Sequence, residues 1–192
     1  MAGLKARYRP LVCPLTQVLA EIPLGATLYD IGCGAGVPMH LALRFRQARM
    51  VRGSDISSNA IAAATSFARH GERFQAMCLP AEEQPALSGF DVVVLIDVLH
   101  HVPPAVQQDF LRSIVRRMDR GARLVLLDID RDAFARRCCN QHHDLLLSRE
   151  WVHPMRADDV RVILDHAGLQ SEEPQRFKTL WYGHYLIAGT RL

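Results

Sequence analysis

A glycine-rich turn is the part of this sequence best suited to binding a ligand. Residues 28–36 read Leu-Tyr-Asp-Ile-Gly-Cys-Gly-Ala-Gly, and Pro38 follows soon after. The apolar start predicts a strand, and proline is favoured in the first turn of a helix, where its missing N–H costs nothing. Because glycine has no Cβ, the backbone between the two elements can approach a bound molecule closely. The pattern therefore predicts a ligand site between a strand end and a helix start.

The spacing of the glycines indicates which ligand is disfavoured. Gly32, Gly34 and Gly36 form a GxGxG pattern, whereas the dinucleotide fingerprint is GxGxxG. A fingerprint that begins at Gly32 would need its third glycine where Val37 stands. The spacing therefore disfavours a nicotinamide cofactor.

Acidic and imidazole side chains follow two other predicted strands, residues 50–54 and 90–96. Asp55 and Asp97 each directly follow one of these strands, and His100 and His101 come just after Asp97. A carboxylate offers two oxygens, which suits a pair of neighbouring hydroxyl donors or an ammonium group. A histidine titrates near neutral pH and can take a proton from an attacking hydroxyl or amine. These residues are therefore candidates for ligand binding and proton transfer.

The elements that must position these residues alternate along the chain between short apolar segments and helical patterns. Segments 92–96 and 124–127 are continuously apolar, as parallel strands buried on both faces are. The alternation predicts a doubly wound α/β fold with a seven-stranded, mostly parallel sheet. Too few residues separate the last two strands for a crossover helix, so they should form a C-terminal antiparallel hairpin. The predicted strands are residues 27–31, 50–54, 74–79, 90–96, 123–128, 174–179 and 185–190.

We expect residues 1–192 to form a single domain, because one core usually serves about 100–200 residues. Within it, residues 1–24 form an N-terminal cap, and residues 130–154 form an insertion between the fifth strand and the last helix. Insertions at the carboxyl ends of strands in an open α/β sheet lie beside the ligand crevice. We therefore expect residues 130–154 to be a substrate lid.

The order of these motifs resembles that of the class I S-adenosylmethionine-dependent methyltransferases that act on small molecules. The glycine turn, the acid after the second strand, and segments 81–83, 97–103 and 120–128 all occur in the family's order. The resemblance covers nearly the whole chain. It implies the Rossmann-like methyltransferase fold and S-adenosylmethionine as the cofactor.

The resemblance also implies a role for each acid of the cofactor site. Asp30 corresponds to a residue near the sulfonium amino acid. Asp55 corresponds to the acid that holds both ribose hydroxyls. Asp97 begins a segment that faces the methionine moiety, where a carboxylate can form a charge-assisted bond with the ammonium group.

The other residues of the cofactor site contribute backbone or apolar contacts in the family. The side chain of Cys33 is expected to fill space in the turn, and Ile56 falls where an apolar residue packs on the adenine. Pro80 stands where an aspartate is common, so the adenine edge is left to backbone atoms of the next two residues. The predicted cofactor contacts besides the acids are Gly32, Cys33, Gly34, Ile56, Ala81 and Glu82.

His101 and His100 are the candidate catalytic residues. If a helix begins near Asp97, His101 lies four residues on and shares its face, and His100 borders that face. His101 is then expected to be the general base or to orient the acceptor, with the larger effect on kcat. A packing or capping role is the alternative for both, because in-line placement and exclusion of water can supply most of the rate.

The sequence as a whole predicts an enzyme that methylates an O, N or C nucleophile of a small molecule, including a lipophilic or carrier-bound one. The alternative is a methyltransferase-like binding or regulatory protein that holds S-adenosylmethionine without turnover. The family has no obligatory catalytic residue, so the sequence leaves both open. Segments around Trp151 and Trp181 are also similar to small bacterial methyltransferases of lipid or polyketide pathways.

Composition and charge argue against several classes of partner, cofactor and location for this protein. A net charge of +3 is too mild to predict nucleic-acid binding, which needs a concentrated basic face. No strictly apolar run exceeds five residues, whereas a membrane span needs about 20. The five cysteines contain no CxxC pair, and no HxxxH motif appears, so no metal site is expected. A reduced, cytoplasmic protein without a signal peptide is the expectation.

Overall fold

The structure of the chain is a computed structural model, and it describes residues 13–66, 71–80, 83, 85–132, 152–179 and 182–192. The α-helices there are α1 (Leu15–Ala20), α2 (Val37–Phe45), α3 (Ser58–Ser66), α4 (Gln107–Arg117) and α5 (Ala157–His166). The strands are β1 (Thr27–Ile31), β2 (Met50–Asp55), β3 (Phe74–Cys78), β4 (Val92–Ile96), β5 (Arg123–Ile129), β6 (Leu169–Ser171), β7 (Gln175–Thr179) and β8 (Tyr182–Arg191). Two 3₁₀ helices span Gly71–Arg73 and Leu99–His101.

The strands of this part of the chain form one mixed sheet. Its order is β3-β2-β1-β4-β5-β8-β6, and β7 also pairs with β8. Strands β1 to β5 are parallel to one another, whereas β8 is antiparallel to β5, β6 and β7. The predicted doubly wound α/β fold with an antiparallel C-terminal hairpin is confirmed.

The sheet contains one strand more than the seven predicted. Strand β6 pairs with residues 189–191 of β8, and β7 pairs with residues 182–186, so both lie along the same edge of β8. Pro174 lies in the gap between them and has no N–H to donate to a ladder. The edge is therefore interrupted, and the three-residue β6 is too short to give a readable alternation in the sequence.

Two apolar cores cover the two faces of the sheet. Leu28 and Val94 belong to one core, and their chain neighbours Tyr29 and Val93 belong to the other. Successive strand residues point to opposite faces, so burial on both faces explains the continuous apolar segments. Burial of each aliphatic side chain stabilises the fold by about 1.5–3 kcal/mol. The cores hold the strand ends rigidly, and these ends carry the candidate site.

The turn after β4 differs from the sequence prediction. The prediction that a helix begins near Asp97 is wrong, because this turn is the 3₁₀ helix Leu99–His101 and α4 begins only at Gln107. Pro103 and Pro104 lie between the two. Since proline disfavours helical backbone in the residue before it, the α-helix starts after them. His100 and His101 therefore do not share a helix face with Asp97.

Candidate active site

Three carboxylates lie at the ends of neighbouring strands. Strands β2, β1 and β4 are adjacent in the sheet; Asp30 is the penultimate residue of β1, Asp55 ends β2, and Asp97 directly follows β4. After β1 the chain first forms β2 and β3 to one side of β1, and then crosses to form β4 on the other side of β1. Ligands of open α/β sheets bind at the carboxyl ends of strands at such a switch point. The fold thus brings the three predicted acids to neighbouring strand ends at the same edge of the sheet.

The glycine turn closes over the end of β2. The N–H groups of Gly32 and Cys33 both donate to the carbonyl of Ser54, at 2.8 and 3.0 Å. Gly32, Gly34 and Gly36 all have positive φ angles, of 71°, 54° and 73°. A Cβ at Gly32 would also collide with the side chain of Val98. Left-handed backbone and close packing together explain why glycine stands in this turn.

Asp55 connects the glycine turn to the start of α3. One of its oxygens accepts the N–H of Gly34 and the other accepts the N–H of Ser57, each at 2.8 Å. An ionised carboxylate has about four acceptor positions, so this carboxylate can accept further hydrogen bonds from a ligand. Ile56, the next residue, is 71% exposed. An exposed apolar side chain beside a carboxylate suits a ligand with hydroxyl groups and a flat apolar ring.

The side chain of Cys33 points into the core. It is buried, and a Cβ added at Gly53 of β2 would lie 2.7 Å from the Cys33 Cβ and 2.7 Å from the sulfur of Met39. Gly53 is therefore required by close packing against the turn, a role that sequence analysis missed. The available signal was a glycine inside a strand, which marks a close approach of another segment.

Asp97 has an unusual backbone conformation for a residue with a side chain. Its φ angle is 54°, in the left-handed region, and its N–H donates to the carbonyl of Leu127 at 2.9 Å. The buried His184 of β8 places its Nε2 atom 3.2 Å from Oδ1 of Asp97. Such backbone costs about 1–3 kcal/mol and clusters at functional sites. The strained backbone and the contact with His184 fix the carboxylate at the end of β4.

The two predicted histidines differ sharply in their surroundings. His100 is buried, and its Nδ1 lies 2.6 Å from Oδ1 of Asp128 near the end of β5. His101 is exposed, and its ring centroid lies 4.2 Å from that of His100. Asp128 was missed by sequence analysis. The available signal was a single acid at the end of the apolar segment 124–127.

The end of β5 has a locally negative environment. Tyr185 of β8 pairs with Asp128 in the sheet. Burial raises the pKa of Tyr185 well above its ordinary value, and the negative charges of Asp128 and Asp130 raise this pKa further. Arg176 of β7 lies 3.3 Å from Asp130. The tyrosine therefore stays neutral at ordinary pH, and Arg176 offsets part of the negative charge.

Some predicted site residues lie outside the described residues. These are Ala81 and Glu82 of the adenine segment, most of the predicted lid, and Trp181. Among the residues that the structure does describe, no group of three potential metal ligands occurs. No helix in this part of the chain is long and apolar enough to cross a membrane.

Comparison with known proteins identifies the family. The model of a family described as a methyltransferase domain matches residues 4–173. The chain belongs to the class I S-adenosylmethionine-dependent methyltransferases. The enzyme class and the cofactor predicted from the sequence are thereby confirmed.

The methyltransferase has a curated relative in Candida albicans, the mitochondrial ubiquinone biosynthesis O-methyltransferase. The two are 29% identical over 112 residues, which cover 55% of this chain and 33% of the relative. The matched segment thus spans only about a third of the relative's length.

Two solved structures share the fold of this methyltransferase. One is a methyltransferase in complex with the Trm112 activator of Haloferax volcanii, with a TM-score of 0.80, 14% identity and coverage of 99% of this chain and 93% of that chain. The other is the magnesium protoporphyrin IX methyltransferase of Synechocystis PCC 6803 with bound S-adenosylhomocysteine. Its TM-score is 0.73, with 21% identity and coverage of 93% and 82%. At these identities the likeness concerns the fold.

Proposed function

We propose that this methyltransferase transfers the S-methyl group of S-adenosylmethionine to an O, N or C nucleophile of a small molecule. The observation that carries the proposal is the set of three carboxylates at the ends of β1, β2 and β4, next to the glycine turn. Two of these carboxylates are fixed by contacts: Asp55 by the N–H of Gly34 and Asp97 by His184.

The chemistry of these side chains fits S-adenosylmethionine. Its ribose carries two neighbouring hydroxyl donors, which we assign to Asp55. Its ammonium group is a cation, which we assign to Asp97 with Asp30 nearby. Its adenine is a flat ring suited to the exposed side chain of Ile56. Carboxylates suit donors and cations because an ionised carboxylate is only an acceptor.

Backbone atoms complete the proposed cofactor site. Gly32, Cys33 and Gly34 contribute main-chain contacts in the turn, and the buried side chain of Cys33 has no part in them. We also propose that Ala81 and Glu82 bind the edge of the adenine. This assignment rests on the resemblance to the family alone.

Bound S-adenosylmethionine supplies an electrophilic methyl group on a sulfonium. What the protein adds is placement of the acceptor in line with that group and exclusion of water. His100 and His101, which follow Asp97 on the turn after β4, are the groups we propose for taking a proton from the acceptor. A histidine has the pKa range for this task at neutral pH.

The acceptor is proposed to be a small molecule, with lipophilic and carrier-bound compounds included. Support comes from two similar proteins, the ubiquinone biosynthesis O-methyltransferase and the magnesium protoporphyrin IX methyltransferase. Screening of acceptors by release of S-adenosylhomocysteine tests this class. Binding of the cofactor without any turnover would instead favour the non-catalytic alternative.

Asp55→Ala should weaken S-adenosylmethionine binding by roughly 1.5–3 kcal/mol, the usual cost of losing hydrogen bonds to a charged group. This corresponds to roughly a 10- to 150-fold higher Kd, measured by titration calorimetry. Asp91→Ala is the matched control. The carboxylate of Asp91 accepts the N–H of Thr27 at the start of β1, the end of the strand away from the proposed cofactor site. Removal of this carboxylate should therefore leave the Kd for S-adenosylmethionine unchanged. Unchanged affinity in a folded Asp55→Ala protein would defeat the ribose assignment.

A further inference from the structure

The carboxylate of Asp128 is surrounded by N–H donors. Its Oδ1 atom lies 2.6 Å from Nδ1 of His100 and accepts the N–H of Ile129 at 2.7 Å. Its Oδ2 atom accepts the backbone N–H of His100 at 3.3 Å. The side chains of Asp128 and His100 are 2% and 4% exposed. The carboxylate therefore contacts both the ring and the backbone N–H of His100.

This contact determines which ring nitrogen of a neutral His100 carries the proton. An ionised carboxylate can only accept hydrogen bonds, so the nitrogen that faces it must be a donor. That nitrogen is Nδ1. The lone pair is then on Nε2, since a neutral imidazole has one donor and one acceptor nitrogen.

The backbone holds this pair in place. Asp128 lies within β5, which is paired with β4 on one side and β8 on the other. The carbonyl of His100 accepts the N–H of His153 at 2.7 Å. Gln107 of α4 donates to the carbonyls of Leu99 and His153, at 3.1 and 2.7 Å. The 3₁₀ helix that carries His100 is thus fixed on both sides.

We propose that Asp128 is a positioning residue for His100: it selects the Nδ1–H tautomer and leaves Nε2 as the atom that accepts a proton. The inference rests on the proposed function, in which the acceptor loses a proton as its nucleophile gains the methyl group. That proton moves to Nε2 and makes an imidazolium, whose positive charge is paired with Asp128. His101, by contrast, is exposed.

The test is proton–nitrogen correlation NMR on the full chain with ¹⁵N-labelled histidine, at about pH 8, above the ordinary histidine pKa of about 6.5. His100→Gln and His101→Gln identify the two signals by their loss. The expected spectrum shows His100 protonated on Nδ1 alone. A doubly protonated ring, an Nε2–H tautomer, or the same tautomer mixture as the exposed His101 would overturn the inference.

Two variants at position 128 test the selection of the tautomer by the carboxylate. Asp128→Asn presents an N–H donor as well as an acceptor oxygen, so the ring is no longer forced to donate and the share of the Nδ1–H tautomer should fall. Asp128→Val removes the acceptor, so the proton should shift toward Nε2. An unchanged tautomer in folded Asp128→Val would also overturn the inference, and if that variant does not fold, the wild-type spectrum decides. The NMR result needs no methyl acceptor, so absence of turnover would defeat the proposed function without altering the tautomer result.

Discussion

Gly34→Val should abolish binding of S-adenosylmethionine while the chain still folds. Gly34 lies in the middle of the glycine turn with a φ angle of 54°, a conformation that is an outlier for a β-branched residue. A valine there has to shift the turn, which breaks the bond from the N–H of Gly34 to Asp55. Its side chain would also occupy space that we assign to the cofactor. Both effects act on binding, and titration calorimetry measures the loss.

A matched control separates backbone strain from the loss of the site. Gly71 has a φ angle of 56°, and a Cβ there would lie within 4 Å of no atom in the part of the chain that the structure describes. Gly71→Val therefore introduces the same strain away from the strand ends and should leave cofactor affinity unchanged. Cys33→Ala should also have little effect, because its side chain is in the core. Normal binding by Gly34→Val, with loss of binding in Cys33→Ala, would show that the ligand has been placed wrongly.

His100→Asn should lower kcat by about 10²-fold, the low end for general acid–base catalysis. Asparagine offers an N–H donor near the position of Nδ1, so it can still bond Asp128. It has no counterpart of Nε2 and cannot take the proton. Cofactor affinity should therefore change little while kcat falls.

We thus expect the larger loss of kcat at His100, whereas the sequence analysis expected it at His101. That expectation depended on a helix starting near Asp97, and the 3₁₀ turn removes its basis. His101→Asn should accordingly cause a much smaller loss of kcat. Steady-state kinetics of both variants across pH will measure the difference once an acceptor is known. Full activity in both variants would mean that the histidines are structural and that placement alone carries the reaction.

The sheet could be predicted because its central strands, β1, β4 and β5, are buried on both faces. Segments such as Val92–Ile96 are continuously apolar. The strand ends follow from this pattern, and with them the positions of Asp55 and Asp97. The alternation of strands and helices predicts a doubly wound, mostly parallel sheet, but it does not give the order of the strands. The interrupted edge formed by β6 and β7 leaves a much weaker pattern.

The contacts within the site could not be predicted, because they join residues far apart in sequence. Asp128 contacts His100, which lies 28 residues earlier in the chain, and no periodic pattern in the sequence predicts such a pair. His184 meets Asp97 from the C-terminal hairpin, and Gly53 packs against Cys33 from the next strand. In each case the strand register decides which side chains meet, and a sequence pattern does not give that register.

Calorimetric titration of the full chain with S-adenosylhomocysteine and, separately, with NAD tests the central claim most directly. The claim is that the glycine turn and the carboxylates Asp30, Asp55 and Asp97 form a site for a nucleoside joined to an amino acid. We predict saturable one-to-one binding of S-adenosylhomocysteine and no binding of NAD. Binding of NAD, or no binding of S-adenosylhomocysteine to the folded chain, would contradict the account.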